Sequence, residues 1–137
     1  MNNISAVEEV CAFLKNAGVY YLATVEDGAP RVRPFGTVNL YDGKLYIQTG
    51  KKKSVADQLK ANGRVEISAM VGDCWIRLAA TAVLDPDIEA QRSMLAAYPS
   101  LAALYTPGDG NTEVYYLTDA KADICSFSAP ERTITFE

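Results

Sequence analysis

The strongest constraint on this chain is a series of short segments with period-two alternation, each closed by a tight-turn signal. "VYYLATV" (19–25) runs into "EDGAP", "RVRPFGTVNLY" (31–41) into "DG", and "KLYIQT" (44–49) follows at once. "RVEISAMV" (64–71) and "CWIRLAATAVL" (74–84) are joined by "GD". Segments rich in β-branched and aromatic residues with such turns between them read as antiparallel strands. The spacing predicts a three-stranded meander over residues 19–49 and a second hairpin over residues 64–84.

Helical periodicity interrupts this pattern in a few places. Ser5 to Asn16 places Val7, Val10, Cys11 and Leu14 on one face, with Ser5 as N-cap, Glu8 three residues on and Gly18 as the stop. Ser54 to Ala61 and Ile88 to Ala97 read as further helices, and Leu101 to Leu104 as a short helical piece after the Tyr98-Pro99 break. The last strands are "EVYYLT" and "KADICSFS", with a turn at Asp119-Ala120 and a tail, "TITFE", able to extend a sheet edge. The expected fold is mainly β with α decorations, a six-stranded antiparallel barrel, closed or nearly so, in a single domain over residues 1–137.

Composition narrows the function classes. With 137 residues and 49% hydrophobic content, the chain suffices for one domain with a real core. A net charge of -4 argues against coating nucleic acid or an anionic membrane. The charge is uneven, however, with nine basic against six acidic side chains in residues 1–64 and four against eleven afterwards. That distribution suits a local site for a small anion. Three cysteines without CxxC spacing suggest a reduced, cytoplasmic protein. Neither a secretory leader nor a membrane-spanning run is read, and the lack of histidine removes the commonest metal ligand and general base. No metal site is expected.

Three places could carry chemistry. "TGKKKSVADQLKANGR" (49–64) sets Lys51, Lys52 and Lys53 before a helix whose "SVAD" reads as a capping box starting at Ser54. Cations oppose the partial positive charge of a helix N-terminus, so this is either a solvated loop or a strand-loop-helix phosphate site. In the second strand, alternation puts Val32 and Pro34 on one face and Arg33 and Phe35 on the other. Arg33 there is either a solvent-facing cation or part of a rim site for an anion or a ring. Trp75 and Arg77 share a strand face, with the tryptophan core-facing by default and the arginine in need of a partner.

The order of "YYLATVEDGAPRVRP", "YIQTGKKKSV" and the W-x-R strand, over roughly Val7 to Phe136, resembles the pyridoxamine 5'-phosphate oxidase-like proteins, the FMN-binding split barrels. The resemblance implies a split β-barrel and a homodimer with FMN at the subunit interface. Arg33, Pro34 and Phe35 would run along the flavin, and Gln48 and Thr49 would approach the ring and ribityl chain. The lysine loop, chiefly Lys52 and Lys53 with Ser54 and with Lys51 beside them, would hold the phosphate. Trp75 and Arg77 would lie near the flavin or its dimer partner.

The implied activity is a flavin reductase or nitroreductase type of FMN-dependent oxidoreduction, with NAD(P)H as a possible donor. Catalytic residues are not readable. Alternatives are a non-catalytic flavin-binding or regulatory protein and a deazaflavin-dependent relative; an anion-binding barrel for nucleotides or single-stranded nucleic acid is disfavoured by the net charge. The end "SAPERTITFE" lacks the C-terminal arginine-and-proline element of the vitamin-making enzyme, and a haem-degrading role lacks its histidine.

Overall fold

The computed structural model describes residues 4–137, so the first three residues of the expected domain lie outside it. Helix α1 (Ala6–Ala17) opens on the expected capping box between Ser5 and Glu8 and ends at Gly18, φ 79°, whose N–H reaches the Leu14 carbonyl. It buries Val10, Cys11 and Leu14.

Strands β1 (Tyr20–Glu26) and β2 (Ala29–Phe35) form a hairpin closed by Asp27 and Gly28, both at positive φ. That is the turn geometry that matches strand twist. Asp42 and Gly43 repeat it between β3 (Asn39–Tyr41) and β4 (Lys44–Gly50). Helix α2 (Ser54–Ala61), β5 (Arg64–Val71), β6 (Cys74–Asp85) and α3 (Ile88–Ala97) follow. A short 3-10 turn (Pro99–Ala103), β7 (Thr112–Ser126) and β8 (Arg132–Phe136) complete the chain. The tail thus joins the sheet, and the fold is a mainly antiparallel β structure with eight strands where six were expected.

Three local expectations change. The second predicted strand does not run to Tyr41 and the meander does not form. The sheet order is β2-β1-β5-β6-β7-β4-β3, so β2 and β3 stand at opposite ends and the chain crosses between them through Gly36 to Val38. No turn forms at Asp119-Ala120. Lys121 pairs with Ala79 and Thr118 with Thr81, so β7 spends one more residue there than β6, and Asp119 absorbs it at φ 51° as a bulge within one long strand. Finally, Ser54 caps nothing: Lys53 occupies the N-cap position without a side-chain cap bond. The Lys53 N–H closes a turn on the Gly50 carbonyl and the Ala56 N–H bonds the Lys53 carbonyl, which starts the helix one residue earlier than the capping box requires.

The core follows from the register. Leu22, Ile67, Leu78 and Ala122 pair in sequence across β1, β5, β6 and β7, and all four are fully buried. A smaller cluster of Tyr46, Ala90, Met94 and Val114 forms beneath α3. Arg33 pairs with Leu22 and therefore continues the inner row onto the edge strand, where the apolar core stops. On β2 the usual pattern is inverted: Arg33 and Phe35 are half-buried, while Val32 is 68% exposed.

Candidate functional site

The two ends of the sheet leave a gap, and a cavity of about 380 Å³ occupies it. β4 is paired with β3 only through Lys44 to Tyr46, so from Ile47 onward that edge faces the gap rather than another strand. Arg33, Pro34 and Phe35 line the cavity from the β2 side, Gln48 and Thr49 from β4, and Lys53 with Val55 from the start of α2. Tyr98, Leu101, Leu104 and Tyr105 form the remaining wall.

Six of the residues singled out from sequence therefore meet here: Arg33, Pro34, Phe35, Gln48, Thr49 and Lys53. Lys51 and Lys52 in the adjoining loop and Ser54, the first residue of α2, are exposed and do not line the cavity. Trp75 and Arg77 are not brought to it, because strand alternation turns them onto the opposite sheet face. Trp75 packs against Phe127, ring centroids 4.9 Å apart, and Arg77 finds its partners in Glu131 at 3.4 Å and Asp123 at 3.9 Å.

Hydrogen bonds fix the frame of the site. Arg33 donates from Nη1 to the Leu22 carbonyl at 3.1 Å and to Thr24 Oγ1 at 2.8 Å, and from Nη2 to Gln58 Oε1 at 2.6 Å. Thr24 donates to the same Gln58 oxygen, and Gln58 Nε2 donates to Glu26 at 3.3 Å. Burial lowers the Arg33 pKa while the Glu26 carboxylate pulls the other way. A guanidinium has five N–H donors, so Nε and one Nη2 hydrogen remain free. Thr37 substitutes for a missing strand partner: its Oγ1 accepts from the Gln48 N–H at 3.2 Å. Gln48 spends its own amide on the Thr49 carbonyl and on Thr112. Tyr98 accepts from the Val38 N–H and donates to the Val38 carbonyl, both at 3.0 Å.

The helix end supplies a second set of donors. Lys51 N–H bonds the Asn111 carbonyl at 2.7 Å, whereas the N–H groups of Lys52, Ser54 and Val55 have no acceptor among the described residues. Nor does any of the three lysines pair with a carboxylate among the described residues. An uncapped helix N-terminus with adjoining cations receives anions. Phe35, Val55, Leu101 and Leu104 give the cavity apolar walls, and no carboxylate or thiol lines it. The arrangement can therefore bind a flat apolar group and an anion together, and its titratable lining groups are Arg33, Lys53, Tyr98 and Tyr105.

Sequence reasoning missed Thr24, Gln58, Tyr98 and Tyr105. Gln58 reads as an ordinary polar position of α2, and its burial follows only from packing against a strand 34 residues away. Tyr98-Pro99 registers as a break, which conceals its role as a wall.

Fold and site define a class: a split antiparallel barrel with an anion-receptive cleft in its seam. Residues 6–122 match the family model described as pyridoxamine 5'-phosphate oxidase, and the chain belongs to that family. Among solved structures it is similar to a NimC/NimA family protein from Clostridium acetobutylicum, at 41% identity over 96% of this chain and 92% of that one, with a TM-score of 0.93. At 19% identity it is similar in fold to a pyridoxamine 5'-phosphate oxidase-related, FMN-binding protein from Nostoc punctiforme, covering 96% of this chain and 91% of that one with a TM-score of 0.68. A haem-binding protein from Mycobacterium smegmatis is similar in fold at 17% identity, over 98% of this chain but 60% of that one, with a TM-score of 0.73. No curated protein matches the sequence.

Proposed function

We propose that this protein binds FMN in the seam cavity and works as an FMN-dependent oxidoreductase of the flavin reductase or nitroreductase type, with NAD(P)H as donor. The observation that carries this reading is that Arg33 and the uncapped start of α2, with Lys53, border one cavity with apolar walls. The donor set fits a phosphorylated, planar cofactor. Thr49 lines the cavity, and its hydroxyl has no hydrogen-bond partner among the described residues and is not enclosed, which leaves it accessible to a ligand.

In this reading Lys52, Lys53 and the free N–H groups of Ser54 and Val55 hold the phosphate. Phe35 and Val55 exclude water from one side of the ring, and the spare N–H donors of Arg33 orient the polar edge. Bound there, FMN supplies the hydride and electron exchange that the side chains cannot. The exposed apolar side chains Tyr21, Val32 and Met70 share the outer sheet face, which supports a homodimer built on that face. Trp75 and Arg77 belong to the same face and would then lie near the partner subunit.

A lining whose titratable groups are Arg33, Lys53, Tyr98 and Tyr105, with no carboxylate or thiol among the described residues, equally suits a flavin-binding protein without turnover. Anaerobic mixing of the FMN-loaded protein with NADH or NADPH separates the two. Bleaching of the flavin absorbance, and reoxidation by a nitroaromatic or quinone, is expected of an oxidoreductase. A spectrum that neither nucleotide changes would leave the binding role only. Parallel titration with a deazaflavin tests the rival cofactor.

A further inference from the structure

Tyr105 is unusual among the cavity residues. It is 9% exposed, its ring lies on Gly50, and its hydroxyl makes no hydrogen bond among the described residues. The approach is so close that a Cβ at position 50 would meet the Tyr105 hydroxyl at 2.8 Å and its ring at 3.2 Å, so a larger residue there would push the phenol aside. Asn111 Oδ1 is the one enclosed side-chain polar atom without a partner among the described residues, so the Tyr105 oxygen is accessible at the cavity wall with its donor unused. The other cavity tyrosine has no such spare donor, since Tyr98 is bonded to Val38 through both its donor and its acceptor. Gly50 is also the last residue of β4 before the three lysines, so the Tyr105 hydroxyl sits at the end of the cavity nearest the anion loop.

We infer that Tyr105 is a positioning residue whose phenol donates a hydrogen bond to an oxygen of the polar tail of the bound cofactor, and that Gly50 leaves the room that holds it in this place. This rests on the flavin reading of the cavity and adds a specificity element to it: Tyr105 reads the phosphorylated polyol, not the ring. A ring-packing role alone would need no hydroxyl, and phenylalanine would serve.

The test is Tyr105→Phe, which keeps the ring on Gly50 and removes only the unpaired oxygen. Because that oxygen has no partner among the described residues, thermal stability without cofactor should not fall. Affinity for FMN, followed by quenching of flavin fluorescence, should fall about three- to tenfold, the range of one neutral hydrogen bond. Affinity for lumiflavin, which has the ring without the polyol phosphate, should be unchanged. Equal FMN affinity in wild type and Tyr105→Phe overturns the inference, as does an equal loss for FMN and lumiflavin. If the wild type binds no FMN, the flavin reading itself falls and takes this inference with it. FMN binding without a Tyr105→Phe effect removes only the inference.

Discussion

At the scale of single residues, the site depends on groups that hold Arg33 rather than on Arg33 alone. Three of its N–H donors are committed to Leu22, Thr24 and Gln58, and Gln58 is 6% exposed. Gln58→Leu keeps the volume but leaves Thr24 Oγ1 and Arg33 Nη2 without their acceptor. It should destabilise the fold by about 1–3 kcal/mol, the cost of orphaned buried polar groups. Urea unfolding checks this, with a lower midpoint at unchanged slope. Arg33 and Lys53 were legible in sequence because a cation in an apolar alternating strand and a lysine run before a helix both violate local expectation. Gln58 and Tyr105 violate nothing locally. Their importance comes from what lies opposite them in space, and a single sequence carries no record of that.

At the scale of elements, most strands and helices were legible to within a residue or two, because their period and turn residues agree with the fold. The two strand failures share a cause. Gly36 to Val38 and Asp119 are places where the chain must leave or bend a sheet to make the seam, and alternation continues in the sequence while the backbone departs from it. The loop over residues 106–112 shows how such irregular segments are secured. The Asp109 carboxylate accepts N–H bonds from Thr106 at 2.9 Å, Asn111 at 2.8 Å and Thr112 at 2.7 Å. These bonds, Thr106 first, hold its pKa below the usual carboxylate value.

The folded pKa is the lower one, so this stabilisation is complete above the unfolded value of about 4 and is lost as pH falls through the folded value. Asp109→Asn should therefore differ most from wild type near neutral pH, and the gap should close on acidification below about pH 4. Thermal melts across that range read it directly. A constant gap would mean the aspartate acts by shape and not by charge. Because Asn111 in this loop receives the Lys51 N–H, the variant should also loosen the anion loop.

At the scale of the whole molecule, the inverted alternation on β2 becomes intelligible. The barrel turns an arginine inward at its seam and apolar side chains outward, which a monomer in water would not favour. On a dimer interface formed by β2, β1 and β5 the same pattern is ordinary. Val32, 68% exposed in the single chain, should then be central. Val32→Asp should fold normally, sediment as a monomer and bind FMN more weakly, whereas an unchanged dimer by sedimentation would place the interface elsewhere. The family was legible from three separated motifs together, while the seam that makes the site was not, since it exists only once the two sheet ends approach.

The central claim is that the seam cavity holds FMN in a two-chain assembly, and native mass spectrometry of the protein mixed with FMN tests it most directly. The account predicts a dimer carrying two FMN molecules. A cofactor-free monomer, or a dimer whose mass is unchanged by FMN, would contradict it.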